Sequence, residues 1–87
     1  MSGPFKQHLV PHPDGGHTLT VSVTPESKRA HIKADRSGLR VYVADVEGEP
    51  ADAAAIKALA RQMGRPRSAF TLISRNGPRE RVYRVEA

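Results

Sequence analysis

The apolar residues of this chain change their spacing at Pro50 and change back after Pro66, and that switch constrains the fold more than any other feature. From His17 to Thr24, Leu19, Val21 and Val23 alternate with Thr18, Thr20 and Ser22. A period of two with β-branched residues on both sides is the pattern of a half-buried strand. Leu39 to Ala44 repeats it, with Leu39, Val41 and Val43 inward and Arg40 and Tyr42 outward. From Ala51 the spacing becomes helical: Ala55 or Ile56, Leu59, Ala60 and Met63 share a face, while Lys57, Arg61 and Gln62 point away. Pro50 suits the first helical position, where its missing N–H costs nothing, and Gly64 followed by Pro66 suits the end. Glu49 and Asp52 near the helix start and Arg61 near its end complement the helix dipole. Alternation then returns in Ala69 to Ser74 and in Arg79 to Glu86, joined by the tight-turn pair Asn76-Gly77.

These segments predict an α+β domain with a two-layer ββαββ order, one mixed sheet packed on one main helix over Ala51–Met63. Pro25 ends the first strand. Glu26 to Arg36, with Ile32 its one large apolar residue, reads as a loop that has room for a helical turn. Residues 1–16 hold Pro4, Pro11, Pro13, Gly15 and Gly16 and read as a flexible or extended N-terminal arm, pinned to the body by Phe5, Leu9 and Val10. Residues 17–87 form the single domain.

A chain of 87 residues makes one domain near the lower end of the usual range. Without cysteine, neither a disulfide nor a thiolate metal site can staple it, so packing alone must hold it. No apolar run approaches the roughly 20 residues of a membrane helix, and Met1 to Val10 lacks the apolar stretch of a secretory signal. A cytoplasmic protein with no membrane partner is the expectation; its oligomeric state is open, with a monomer favoured. The net charge of +5 favours anionic partners, nucleic acid first among them.

At this level the chain resembles the YggU-like family, a set of small proteins whose biochemical function is not established. The resemblance runs over about residues 14–86. Val21, Val23, Pro25 and Ser27 fit the family's first strand, and Leu39, Val41, Val43 and Ala44 its second. Ala51-Asp52 stands at the distance of the family's Ala-Asn pair, and Ile56, Leu59, Ala60 and Gly64 follow in register. Pro66, Arg67 and Ser68 match the next step, and Arg79 and Arg81 the two basic positions of the last turn. Asp45 and Val46 replace the usual prolines, Gly48 sits one place early, Asp52 replaces asparagine and Arg75 a glycine. The resemblance implies a two-layer α/β fold and marks the loop with Gly48, Ala51 and Asp52 as the family motif; it implies no activity.

Chemistry concentrates in the basic C-terminal half, where Lys57 to Arg84 contains the single acid Glu80. Arg75, Arg79, Arg81 and Arg84 fall on or beside the last hairpin, and Arg65 and Arg67 approach it from the helix end. Guanidinium forks match phosphate oxygens in pairs, so these six residues are the candidate nucleic-acid contacts. The bland alternative is a solvated strand face whose arginines pair with the acidic loop. With Tyr42 and Tyr83 the only tyrosines, a base-stacking platform is not expected. Asp45, Glu47, Glu49 and Asp52 lack the spacing of a calcium loop and read better as a helix start that neutralises its own dipole and docks on the Arg79–Arg81 turn. His8, His12, His17 and His31 lack metal-ligand spacing. No cysteine nucleophile, nucleophile elbow or phosphate-cradling glycine loop is present, so no enzyme, cofactor or metal is assigned. The expected function is a small binding domain for an anionic partner such as RNA, with a protein-interaction module as the alternative.

Overall fold

The alternation from His17 to Thr24 builds β2, the strand on which the rest of the sheet is assembled. The computed structural model describes residues 8–35 and 38–86. Its elements are β1 (Leu9–Pro11), β2 (His17–Thr24), β3 (His31–Asp35), β4 (Gly38–Tyr42), α1 (Glu49–Met63), a short 3-10 turn (Arg67–Ala69), β5 (Phe70–Asn76) and β6 (Glu80–Val85). The strands form one open mixed sheet in the order β3-β4-β2-β6-β5. β4 runs parallel to β2, and the other pairings are antiparallel. One edge of β2 is shared: β1 pairs with its first residues, from His17 to Leu19, and β4 with its last, from Val21 to Thr24.

The class is α+β with one helix on one sheet, but the order departs from ββαββ by two strands. The first lies in the presumed loop, where His31–Asp35 forms β3 against β4. Only Ile32 and Ala34 in this stretch turn toward the core, so half of a two-residue period is hidden among charges. That composition is typical of an edge strand, which charged side chains protect from pairing with other chains. The second lies in the arm, where Leu9–Pro11 pairs with β2. Its Pro11 is tolerated because the strand is short, lies at the sheet margin and ends there. Leu9 packs on the core, Val10 is exposed, and Phe5 lies outside the described residues. Gly16 closes the connection into β2 at φ 69°; a Cβ there would stand 2.6 Å from the Val85 carbonyl oxygen. The loop after β2 is held by bonds from the Glu26 and Ser27 N–H groups to the Asp45 and Val43 carbonyls, both 2.9 Å.

Every second residue of the inner strands faces α1. Leu19, Val21, Val23, Leu39, Val41, Val43, Tyr83 and Val85 are buried there against Ala51, Ala55, Leu59, Ala60 and Met63. Each fully buried side chain of Leu size contributes about 1.5–3 kcal/mol relative to exposure, so a core this small depends on nearly all its members. Left-handed Gly64 (φ 66°) ends α1, with the Arg65 N–H bonded to the Ala60 carbonyl at 2.9 Å.

The hairpin of β5 and β6 turns through Gly77, Pro78 and Arg79 rather than the two residues Asn76-Gly77 alone, since Asn76 and Glu80 are the last pair in register. A bulge between Leu72 and Ser74 adds Ile73 to β5. Strict alternation from inward Phe70 and Leu72 would turn Arg75 away from the helix. The extra residue reverses this and aligns Arg75 with inward Arg81.

Candidate functional site

The arginines of the hairpin divide according to which side of the sheet they occupy. On the helix side, Asp52 of α1 is buried, at 4% exposure, and takes two of them. Arg81, itself 6% exposed, donates from Nε to Asp52 Oδ1 at 2.9 Å. The rest of its fork donates to the carbonyls of the turn: Glu80 at 2.9 Å, Gly77 at 3.3 Å and Pro78 at 3.3 Å. Arg75 brings Nη2 to 2.7 Å from Asp52 Oδ2, a charge contact rather than an aligned hydrogen bond. Tyr83 donates its hydroxyl to the Asp52 carbonyl at 3.2 Å. Burial, reinforced by the Asp52 carboxylate, pushes the Tyr83 phenol well above its usual range. Such a buried group balances desolvation against close pairing, and its clear effect is to fix the start of α1 onto the hairpin turn. Gly48 (φ 103°) opens that helix start, its carbonyl accepting the Asp52 N–H at 3.0 Å, and Ala51 is buried beside it. The loop with Gly48, Ala51 and Asp52 is therefore occupied with holding the fold.

The remaining four arginines are exposed or half-buried and lie toward opposite ends of β6, whose length is about 17 Å at roughly 3.4 Å per residue. Arg79 stands in the turn, its carbonyl accepting the Val23 N–H at 2.9 Å. Arg65 donates to the Glu86 carbonyl at 2.7 Å, and Arg67 opens the 3-10 turn next to it. Arg84 reaches the Asp14 and Gly15 carbonyls at 3.2 and 3.3 Å and so ties down the turn before β2. The six arginines are not one patch: Arg81 is enclosed, Arg75 is half-spent on Asp52, and the rest are distributed over two ends.

The surface that pairing and register do bring together is the sheet face turned away from α1. Across it, register aligns Asn76, Glu80, Ser22, Arg40 and Lys33 in one row. The neighbouring row is Thr24, Tyr42 and His31; toward the other end come Thr20 with Val82 and Ser74, then Val10, Thr18, Arg84 and Thr71. His31, Lys33, Arg40, Thr20 and Thr71 are exposed. Lys33 and Arg40 are direct cross-strand partners, and among the described side chains no ion pair joins either to a carboxylate. Like charges placed opposite each other oppose sheet pairing. Beside them the rings of His31 and Tyr42 stack, with centroids 4.3 Å apart and planes 7° from parallel. The outward direction of Arg40 and Tyr42 follows from the β4 alternation. Lys33 and His31 lie in the stretch whose composition reads as a loop, so the sequence considers His31 only as a metal ligand and assigns neither residue to this face.

On the helix side an open cleft of about 250 Å³ lies between α1 and the end of β4, walled by Ala30, Val43, Ala54 and Ala58 with Lys57, Arg61 and Asp45 at its margin. Among the described residues no three His, Asp or Glu side chains gather as metal ligands, and no helix is long and apolar enough to cross a membrane. His12 instead orders its own turn, its Nδ1 accepting the Asp14 N–H at 3.1 Å. No family model and no solved structure matches the chain.

Proposed function

We propose that the protein is a small binding domain for an anionic polymer, RNA in the first instance, and that the contact surface is the open sheet face rather than the C-terminal hairpin alone. The observation that carries this reading is the facing pair Lys33 and Arg40 on an exposed face lined by Thr18, Thr20, Ser22 and Thr24. A phosphate between the two cations relieves their repulsion, and hydroxyls supply further donors to a sugar–phosphate backbone. Arg79 stands near that end of the face and Arg84 at its other end, with Glu80 and Val82 between them on the outward side of β6. Arg65 and Arg67, in the connection after α1, lie near the Glu86 end of β6. Arg75 and Arg81 are assigned to the Asp52 contact and not to the ligand. The membership of the YggU-like family and a cytoplasmic location belong to the same proposal. The residues that resemble that family support the first. Of the three positions that bring a charge where the family pattern has none, Asp45, Asp52 and Arg75, the last two meet each other at 2.7 Å.

The test is the salt dependence of binding to an RNA oligonucleotide. Each phosphate neutralised on a single strand adds roughly 0.7 to the slope of log affinity against log salt. Lys33→Ala with Arg40→Ala lowers that slope by about 1.4 on this scale, while Lys57→Ala with Arg61→Ala, on the helix side, leaves it unchanged. An unaltered slope in the first variant removes the open face from the reading.

A second reading, a protein-interaction module, draws on the alanine-walled cleft, which has room for an apolar side chain with an acidic neighbour to meet Lys57 and Arg61. Retention of a partner after nuclease treatment and in high salt, abolished by Ala58→Leu, supports it; loss on nuclease treatment alone counts against it.

A further inference from the structure

We infer that the His31–Tyr42 stack is a base-stacking subsite, so that the open face selects single-stranded over duplex RNA; this rests on the RNA reading of that face given above. An aromatic pair across two strands has an ordinary explanation in side-chain packing, worth about 0.2–1 kcal/mol. Three features of this pair go beyond packing. First, a stack of two rings leaves two outer ring faces, and β3 is the edge of the sheet, so no described strand lies beyond His31. Second, His31 Nδ1 lies 3.4 Å from the Arg29 carbonyl, which accepts from it in the tautomer that carries the proton on Nδ1 and then leaves Nε2 as an acceptor. Third, the next row along the same face is Lys33 and Arg40, two residues away on each strand and so about 7 Å distant. A nucleotide seated here places its base against an aromatic face and its phosphate between two cations.

This arrangement discriminates by strandedness. Bases inside a duplex have both faces occupied by their neighbours and present only their edges and backbone, whereas unpaired bases can lie against an aromatic ring. The hydroxyl of Thr24, in register with Tyr42, and that of Ser22, in register with Arg40, border the sugar position. Stacking is tolerant of base identity, since every base has a π-face, so the subsite confers preference for single strands and little for sequence.

The composition of the chain supplies a direct reporter. It contains no tryptophan and two tyrosines, of which Tyr83 is fully buried and Tyr42 stands on the open face. Titration with single-stranded oligoadenylate and oligouridylate is expected to quench tyrosine emission, with affinity at least tenfold above that for duplex RNA of equal length. Tyr42→Ala and His31→Ala each lower single-strand affinity by roughly fivefold to a hundredfold, the range of one lost base stack, without changing the salt slope. Tyr42→Phe, which keeps the ring, retains the affinity. Equal binding of duplex and single strands, or of polyglutamate as tightly as RNA, with tyrosine emission undisturbed, overturns the subsite while leaving an electrostatic face intact. Failure to bind any of these polyanions at low salt removes the underlying RNA reading itself. Circular dichroism of each variant establishes that the fold persists.

Discussion

Arg81 and Arg40 stand on the same sheet, each on an inner strand, and meet opposite circumstances. Arg81 points at α1, is enclosed, and has its donors distributed among the Asp52 carboxylate and three turn carbonyls. Arg40 points the other way, is exposed, and has Lys33 as its cross-strand partner. An arginine count along a chain therefore says little about binding until the parity of each strand position is known. A guanidinium on the covered side is a structural fastener, and one on the bare side is free to meet a ligand.

Substitutions on the two sides of the sheet should therefore differ in their cost to stability. The largest effect is expected for Asp52→Ala, which strands the buried Arg81 charge; losing one partner of a buried pair costs about 3–5 kcal/mol, measurable as a drop in the urea midpoint. A loss below about 1 kcal/mol would mean that water reaches the pair and that the covered side is not as closed as its burial implies. Tyr83→Phe removes the bond to the Asp52 carbonyl and should cost about 1 kcal/mol. The same variant has a pH signature. The unfolded phenol ionises near its ordinary value of 10.0, whereas the buried one keeps its proton, so the unfolded state binds fewer protons and stability falls as pH rises above that point. Urea titrations of the wild type should show this alkaline loss and those of Tyr83→Phe should lack most of it. Arg75→Ala should cost about 1 kcal/mol or less, because its side chain is 47% exposed and solvent screens the pair. Smallest of all is the stability change for Arg40→Ala, within about 0.5 kcal/mol and, if relief of the Lys33 repulsion dominates, toward stabilisation. A large loss there would place Arg40 in the fabric of the fold and weaken its claim as a ligand contact.

Much of the architecture could be read from residue order, and the parts that could not share a cause. β2, β4 and α1 followed from apolar period, and Pro50 and Gly64 bracketed the helix to within two residues of its observed bounds. β1 and β3 did not, because a short edge strand needs few inward apolar residues and gains from charges or proline that read as loop. The bulge at Ile73 was equally hidden, since one extra residue leaves composition unchanged while exchanging the sides of everything after it. That exchange is why Arg75 looked like a surface residue and turned out to face Asp52. The candidate surface is half legible in the sequence: the β4 alternation turns Arg40 and Tyr42 outward, but their partners Lys33 and His31 belong to the strand that composition conceals.

The divided edge of β2 has one more consequence. Because β4 reaches only its later residues, the amide and carbonyl groups from His17 to Leu19 on that edge rely on Leu9–Pro11 for their partners. A chain shortened past Pro11 would leave three residues of one β2 edge bare, bounded by β4 at one end and shaped to accept any extended segment that came by, including the same segment offered by another molecule.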